Sequence, residues 1–299
     1  MTVEHEDATA PRVRWTFHST ALVADYHAAV ERLGRLMGLT PLECGNAGPP
    51  VSRLGGCCAF ADSVLEVAEP NDPDSPLGRL LSRNGTSFLN LALQVDDLHA
   101  TVAWLAGEGV ETTVPPERGF TFGRPSTTCG LQIEWADLSR PDWDPRFGAA
   151  LPPAPAHLID APRVAWWGAL VADPKVSVPR LARVIGVEPA FVDLDAPDEA
   201  PLAALPLPDG VFHLYRLPAE METEQRLWGQ AWGRPRFHAA GLRVRDLAAA
   251  ATALVAEGVG VLRGDPATGE IVTEPGDTAG LTLAWTDRDA ACDLRGRLA

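Results

Sequence analysis

Four polar side chains interrupt runs that are otherwise apolar and strand-like: His18 in VRWTFHSTAL, Glu66 in SVLEVAEP, Asn90 in FLNLALQV and Glu134 in LQIEWAD. Alternation along a strand sorts each run into two faces. Leu89, Leu91, Leu93 and Val95 oppose Phe88, Asn90, Ala92 and Gln94. Leu131, Ile133 and Trp135 oppose Gln132 and Glu134. Leu65 and Val67 oppose Val64, Glu66 and Ala68, and Phe17, Ala21 and Val23 oppose Thr16, His18, Thr20 and Leu22. The apolar faces suit a covering layer of helices. If the four strands curl together, an imidazole, two carboxylates and an amide meet on the other, concave side. Two carboxylates that close resist ionising together unless a cation lies between them. A divalent metal is the natural occupant of such a donor set.

The elements that must position these residues repeat. Residues 13–25 read as a strand ending in Asp, followed by a helix through Met37; residues 88–97 do the same, with a helix through Glu108. A Gly-Leu or Gly-Val exit follows each helix, a good stop signal. Strand-like runs come next: CCAFAD and SVLEVAEP, then GFTFGRP and LQIEWAD. The unit is a strand, a helix and about three strands, and two further units start near Arg163 and Arg236.

At a longer period the chain is duplicated. RLGRLMGLTP (32–41) returns as RLARVIGVEP (180–189), VDDLHATVAWLAGEGV (95–110) as VRDLAAAATALVAEGV (244–259), and CGLQIEWAD (129–137) as AGLTLAWTD (279–287). Residues 12–138 and 162–288 are therefore expected to be two copies of one domain. Residues 1–11 read as a flexible tail, 139–161 as a Pro- and Ala-rich linker and 289–299 as a C-terminal tail.

Composition narrows the function classes. Forty acidic residues against 25 Lys and Arg give a net charge of −15, which repels nucleic acid. With 46% hydrophobic and 22% charged residues the balance is that of a globular protein. No apolar stretch approaches the roughly 20 residues of a membrane span, and MTVEHEDATAPRVRW has no apolar core that would make a signal peptide. Five cysteines, an odd number without a C-x-x-C pair, fit a reducing cytoplasm. Cys57 and Cys58 read as small apolar residues of a core strand.

These residues and spacings resemble the vicinal oxygen chelate superfamily, which includes glyoxalase I, methylmalonyl-CoA epimerase, extradiol dioxygenases and the bleomycin- and fosfomycin-resistance proteins. The opening strand of that family carries a metal-binding His seven residues before an Asp, and His18 and Asp25 keep that spacing. The epimerase-branch stretch ELLEP-x-x-x-DSP appears as EVAEPNDPDSP (66–76) and places Glu66 at a ligand position. H-I-A-x-x-V-D-D-L appears as NLALQVDDL (90–98), with Asn90 for the usual His, and G-V-L-I-E-L appears as GLQIEW (130–135), with Glu134 as the last carboxylate. The resemblance implies an α+β fold of four βαβββ modules paired into two cupped-sheet, glyoxalase-like domains.

It further implies a divalent metal (Mg, Mn, Ni, Zn or Co) held by His18, Glu66 and Glu134, with Asn90 as a weaker ligand that shifts preference toward Mg, Mn or Ca. Such a metal would stabilise an enolate or oxyanion while Glu66 or Glu134 acts as general base. Thr20, Arg53, Arg124 and Gln132 are the candidate substrate contacts. The epimerase branch also uses an acidic base early in its first module, and Glu43 is the nearest acid. In the second copy, Trp166, Leu214, Ala239 and Ala284 are read as replacing His18, Glu66, Asn90 and Glu134. His213 and His238, one residue out of step, are expected to point to the wrong face, and Trp166 to pack in a core. One His and three oxygen donors disfavour iron-dependent oxygen chemistry.

Two readings follow. One is a metal-dependent lyase or isomerase of the glyoxalase or epimerase type acting on a small oxygen-rich substrate. The other is a metal-free small-molecule binding protein of the bleomycin-resistance type. Either would act in the cytoplasm, as monomer or homodimer, away from membranes and nucleic acid.

Overall fold

A strand that ends in aspartate and turns into a helix recurs four times, each time with the aspartate accepting a hydrogen bond from the helix's first turn. Asp25 accepts from the amide of Ala28, Asp97 from Ala100, Asp173 from Lys175 and Val176, and Asp246 from Ala249. The computed structural model describes residues 10–48, 52–137 and 152–289; the tail sequences 1–9 and 290–299 and the linker's first part lie outside them.

The N-terminal half runs β1 (Val13–Leu22), α1 (Tyr26–Met37), β2 (Thr40–Pro41), β3 (Gly45–Ala47), β4 (Arg53–Phe60), β5 (Ser63–Pro70), α2 (Pro76–Asn84), β6 (Ser87–Val95), α3 (Leu98–Gly107), β7 (Phe120–Phe122) and β8 (Gln132–Ala136). The C-terminal half repeats it as β9 (Arg163–Val171), α4 (Pro174–Ile185), β10 (Phe191–Val192), β11 (Ala203–Leu207), β12 (Gly210–Arg216), α5 (Met221–Trp228), β13 (Arg236–Arg243), α6 (Leu247–Ala256), β14 (Val261–Asp265), β15 (Glu270–Thr273) and β16 (Thr282–Thr286). The expected α+β architecture is present: two 8-stranded mixed sheets, one per half, ordered β2-β4-β5-β1-β6-β8-β7, with β3 also paired to β4, and β10-β11-β12-β9-β13-β16-β15-β14. In each, the opening strands of the two modules pair antiparallel at the centre, β1 with β6 and β9 with β13.

The helix-side faces of both sheets share one hydrophobic core. Phe60 and Phe88 pack on Trp167 with ring centroids 6.1 and 5.9 Å apart. Phe88 reaches that core because the register with β1 shifts between Thr20 and Ala21, so strict alternation fails there. The halves also exchange turn residues. Asp62, in the β4–β5 turn, accepts from the amide of Val164 at 2.8 Å, and Asp209, in the β11–β12 turn, accepts from that of Thr16 at 3.0 Å. Part of the linker is ordered against α1: the amides of Leu158 and Ile159 donate to the carbonyls of Arg35 and Leu36.

Two short helices went unread in the sequence. α2 is capped by Ser75 ahead of Pro76, a legible signal; α5 has no side-chain cap. No helix among the described residues is long and apolar enough to cross a membrane.

Candidate functional site

On the concave face of the N-terminal sheet, β1, β5, β6 and β8 lie side by side, and their register decides which side chains meet. Thr20 stands opposite Glu66 on one flank and Asn90 on the other, and Ala92 stands opposite Glu134. His18 Nε2 therefore faces two carboxylates, 3.6 Å from Glu66 Oε2 and 3.5 Å from Glu134 Oε2. The four residues separated in sequence are brought together. His18, Asn90 and Glu134 are buried; the Glu66 side chain keeps 17% and Arg53 keeps 24% exposure, so the group opens toward solvent on that side.

Hydrogen bonds fix the orientation of each member. The Thr20 amide donates to Asn90 Oδ1 at 2.9 Å, and Asn90 Nδ2 donates to Glu134 Oε2 at 3.0 Å. A backbone N–H can only donate and a carboxylate here accepts, so the Asn90 amide cannot be flipped. The Thr20 hydroxyl donates to Glu66 Oε2 at 2.8 Å, and Arg53 forms an ion pair with Glu66 Oε1.

The candidate substrate contacts divide. Thr20 and Arg53 belong to this network. Gln132 is half-buried on β8, two residues before Glu134, where a strand's period places it on the same face. Arg124 stands apart: it pairs with Glu111 at 2.9 Å, and both side chains are more than half exposed. Cys57 lies directly opposite Glu66 in the β4–β5 ladder, a neighbour that its pairing with Cys58 obscured in the sequence. Burial first, then the charges of Glu66 and Glu43, push its thiol well above the ordinary range. Glu43 is exposed; its carbonyl lies over Gly56, where a Cβ would come within 1.9 Å of the oxygen.

As a divalent-metal site the arrangement does not close. Asn90 Oδ1, the expected fourth donor, already accepts from the Thr20 amide, and a guanidinium already sits on Glu66. Among the described residues no group of three or more His, Cys, Asp or Glu side chains is placed to hold a metal ion. The expected donor types do converge, with the Arg53 guanidinium beside them.

The C-terminal cup requires a correction. Gly168, in the place of Thr20, stands opposite His213 and Ala239. His213, not Leu214, thus occupies the position of Glu66; the second copy is one residue shorter between the two strands. His213 points into the cup, its ring stacked on Trp166 at 5.3 Å, and Tyr215 and His213 Nδ1 are hydrogen-bonded at 3.3 Å. His238 sits at the register shift between Phe237 and Ala239 and also faces the cup, 4.2 Å from Trp228 and 5.1 Å from Tyr215 by ring centroids. Burial lowers the His213 pKa to about 3 and also depresses that of His238, aided there by Arg236 and Arg263. Trp166, Ala239 and Ala284 do stand where His18, Asn90 and Glu134 stand in the first copy. Trp166 and Trp228 belong to an apolar cluster that fills this cup.

A polar group in one cupped sheet and an aromatic filling in its duplicate define a protein of two related cupped-sheet domains that differ in what the cup holds. Residues 17–127 match the Glyoxalase/Bleomycin resistance protein/Dioxygenase superfamily. No curated protein matches the chain. A triple mutant of 4-hydroxymandelate synthase from Streptomyces coelicolor superposes over 96% of this chain and 99% of its own, with a TM-score of 0.64 and 16% identity; it shares the duplicated fold. A mutant methylmalonyl-CoA epimerase from Streptomyces coelicolor, in complex with 2-nitronate-propionyl-CoA, aligns with 43% of this chain and 100% of its own at 22% identity and a TM-score of 0.40. The epimerase from Mycobacterium tuberculosis aligns with 47% of this chain and 94% of its own at 20% identity and the same TM-score, 0.40.

Proposed function

We propose that the N-terminal cup binds a small oxygen-rich organic compound and moves a proton on it, as an isomerase or lyase that works without a divalent metal. The observation that carries this reading is the convergence of His18, Glu66 and Glu134 with Arg53 as a cation beside them. A carboxylate held in a fixed orientation beside an imidazole suits general acid–base work. Glu134, oriented by Asn90, would take the proton. His18 lies between the two acids and would carry it between them. Arg53, at the more exposed end, would offer guanidinium N–H groups to the oxygen on which negative charge develops.

The C-terminal cup, filled by its own side chains, would serve as a structural partner. Each half's turn aspartate already binds the other half's first strand, which supports one chain as the working unit.

Solvent exchange tests the proposal. The protein is incubated in D2O with a panel of small 2-oxo and 2-hydroxy carboxylates, and proton NMR follows deuterium entering beside the carbonyl or hydroxyl carbon. The expected result is exchange that survives treatment with chelator and falls at least a hundredfold in Glu134→Gln. Exchange abolished by chelator and restored by Mn or Zn would restore the metal-dependent reading. Binding without exchange would instead support ligand capture of the bleomycin-resistance type, which the already satisfied hydrogen bonds of Asn90 and Thr20 also suit.

A further inference from the structure

Arg53 reaches Glu66 by an unusual route. It stands two residues before Gly55 and four before Cys57 on β4, and strand periodicity puts all three on one face. Glu66 lies opposite Cys57, not opposite Arg53, whose own ladder partner is Pro70. The arginine must therefore run forward along the strand, over Gly55. A Cβ at Gly55 would lie 3.2 Å from Arg53 Nη1 and 2.2 Å from the carbonyl oxygen of Val67. Glycine here leaves a channel along the sheet, and the guanidinium fills it.

We propose that Arg53 holds the place of a divalent cation in this cup, and that the ligand of the site is an organic carboxylate that engages the guanidinium. The inference rests on the metal-free reading above and adds the residue responsible and the ligand's charge. Three observations carry it. Two carboxylates lie within 3.6 Å of one imidazole nitrogen, an arrangement that favours a positive charge nearby, and Arg53 supplies one at Glu66 Oε1. Asn90 is tied down beside them, its oxygen accepting from the Thr20 amide and its nitrogen donating to Glu134, so it brings no charge to balance the acids. Arg53 is also the most exposed member of the group, at 24% against 8% for His18 and for Glu134. An anion arriving from solvent meets the guanidinium first. A guanidinium carries five N–H donors in a planar fork that matches a carboxylate, so one edge can hold Glu66 while another takes the ligand.

The test compares the full chain with Arg53→Met and, in case that variant folds poorly, Arg53→Gln, each checked by circular dichroism and thermal melting. Zn and Mn affinities are measured by calorimetry, and retained metal by elemental analysis after dialysis. The native chain is expected to retain no divalent ion. Either variant is expected to bind Zn or Mn at least tenfold more tightly than the native chain, and to lose that gain when Glu134→Gln is added. Glycolate and malonate serve as carboxylate probes by NMR titration, with affinity for at least one of them falling tenfold or more in the Arg53 variants. One ion retained per native chain, variants no better than native at binding metal, or equal carboxylate affinity in all forms would each overturn the proposal. None of these readouts depends on turnover. Failure to find proton exchange would therefore sink the catalytic reading alone, and metal in the native chain would sink the role of Arg53 alone.

Discussion

The two cups share a backbone and differ in what lies on the floor. In the N-terminal sheet the floor carries Thr20 and Ala92; at the matching register positions the C-terminal sheet has Gly168 and Gly241. Those glycines let the Trp166 ring lie on the sheet: a Cβ at Gly241 would be 2.2 Å from the indole, and one at Gly168 would be 2.9 Å from it. His18 stands in the same place above a floor with side chains, and it meets two acids. The helices between the modules diverge likewise. α2 buries only Gly78, whereas α5 buries Glu224, Leu227 and Trp228. Glu224 holds α5 down by accepting from the amides of Trp232 and Gly233 at 3.0 and 2.9 Å and by pairing with Arg236. Removing two small side chains and driving one helix inward turns a polar hollow into a second core, with no change of topology.

That contrast breaks most severely at Trp228. The side chain is fully buried, with Arg263 over its ring at 4.5 Å. Trp228→Ala is expected to cost about 3–5 kcal/mol in urea-induced unfolding, the usual range for deleting a large buried aromatic. Ligand binding in the N-terminal cup should persist at temperatures where the variant stays folded. If binding there fell while the variant remained folded, the two cups would not be separable as argued.

The glycine floor offers a finer comparison. Gly241→Ala forces a methyl into the Trp166 ring and should cost about 1–3 kcal/mol, as overpacking does. Adding Trp166→Leu should recover much of that loss in a double-mutant cycle. The same alanine already stands at position 92 in the N-terminal cup, so Ala92→Gly should cost no more than about 1 kcal/mol, the usual preference for Ala over Gly in backbone terms. Equal effects at positions 92 and 241 would remove the reason given for the filling of the second cup.

The repeat of strand, aspartate and helix was legible because each aspartate caps its helix locally, and local rules need no tertiary context. The faces that carry His18, Glu66, Asn90 and Glu134 were legible from alternation, and the family resemblance supplied the curl that brings the four strands together. What escaped was long-range or one residue deep. The match of Glu66 to His213 depends on a single-residue difference in length between the copies, visible only in the ladders. The Arg53–Glu66 pair depends on a side chain crossing Gly55. The role of Asn90 depends on which end of its amide meets the Thr20 N–H. None of these has a sequence period.

The buried histidines make the C-terminal cup sensitive to acid. His213 has a pKa of about 3 when folded, against 6.5 as its ordinary value; His238 shifts in the same direction. A histidine depressed in the folded state is protonated first in the unfolded chain. Its contribution is fully present above pH ~6.5 and is lost as pH falls toward 3. Each pH unit in that window should cost at most about 1.4 kcal/mol per histidine. Urea melts between pH 7 and pH 5 should show stability falling with acid, and His213→Phe should flatten the slope. An unchanged slope in that variant would mean that the acid sensitivity resides elsewhere.

The smallest expected effect separates two arginines that look alike in sequence. Arg53 and Arg124 were both candidate ligand contacts. The first is partly buried against Glu66, while the second pairs with Glu111 at 2.9 Å in a loop, with side-chain exposures of 58% and 63%. An exposed pair of that kind gains little, because water screens it and two long side chains must be ordered to form it. Arg124→Ala should therefore shift unfolding free energy by no more than about 0.5 kcal/mol and leave glycolate and malonate titrations unchanged, in contrast to Arg53→Met. A loss of carboxylate affinity in Arg124→Ala would place the ligand across the rim of the sheet toward β7, and the assignment of the guanidinium at Glu66 as the ligand's first contact would have to be given up.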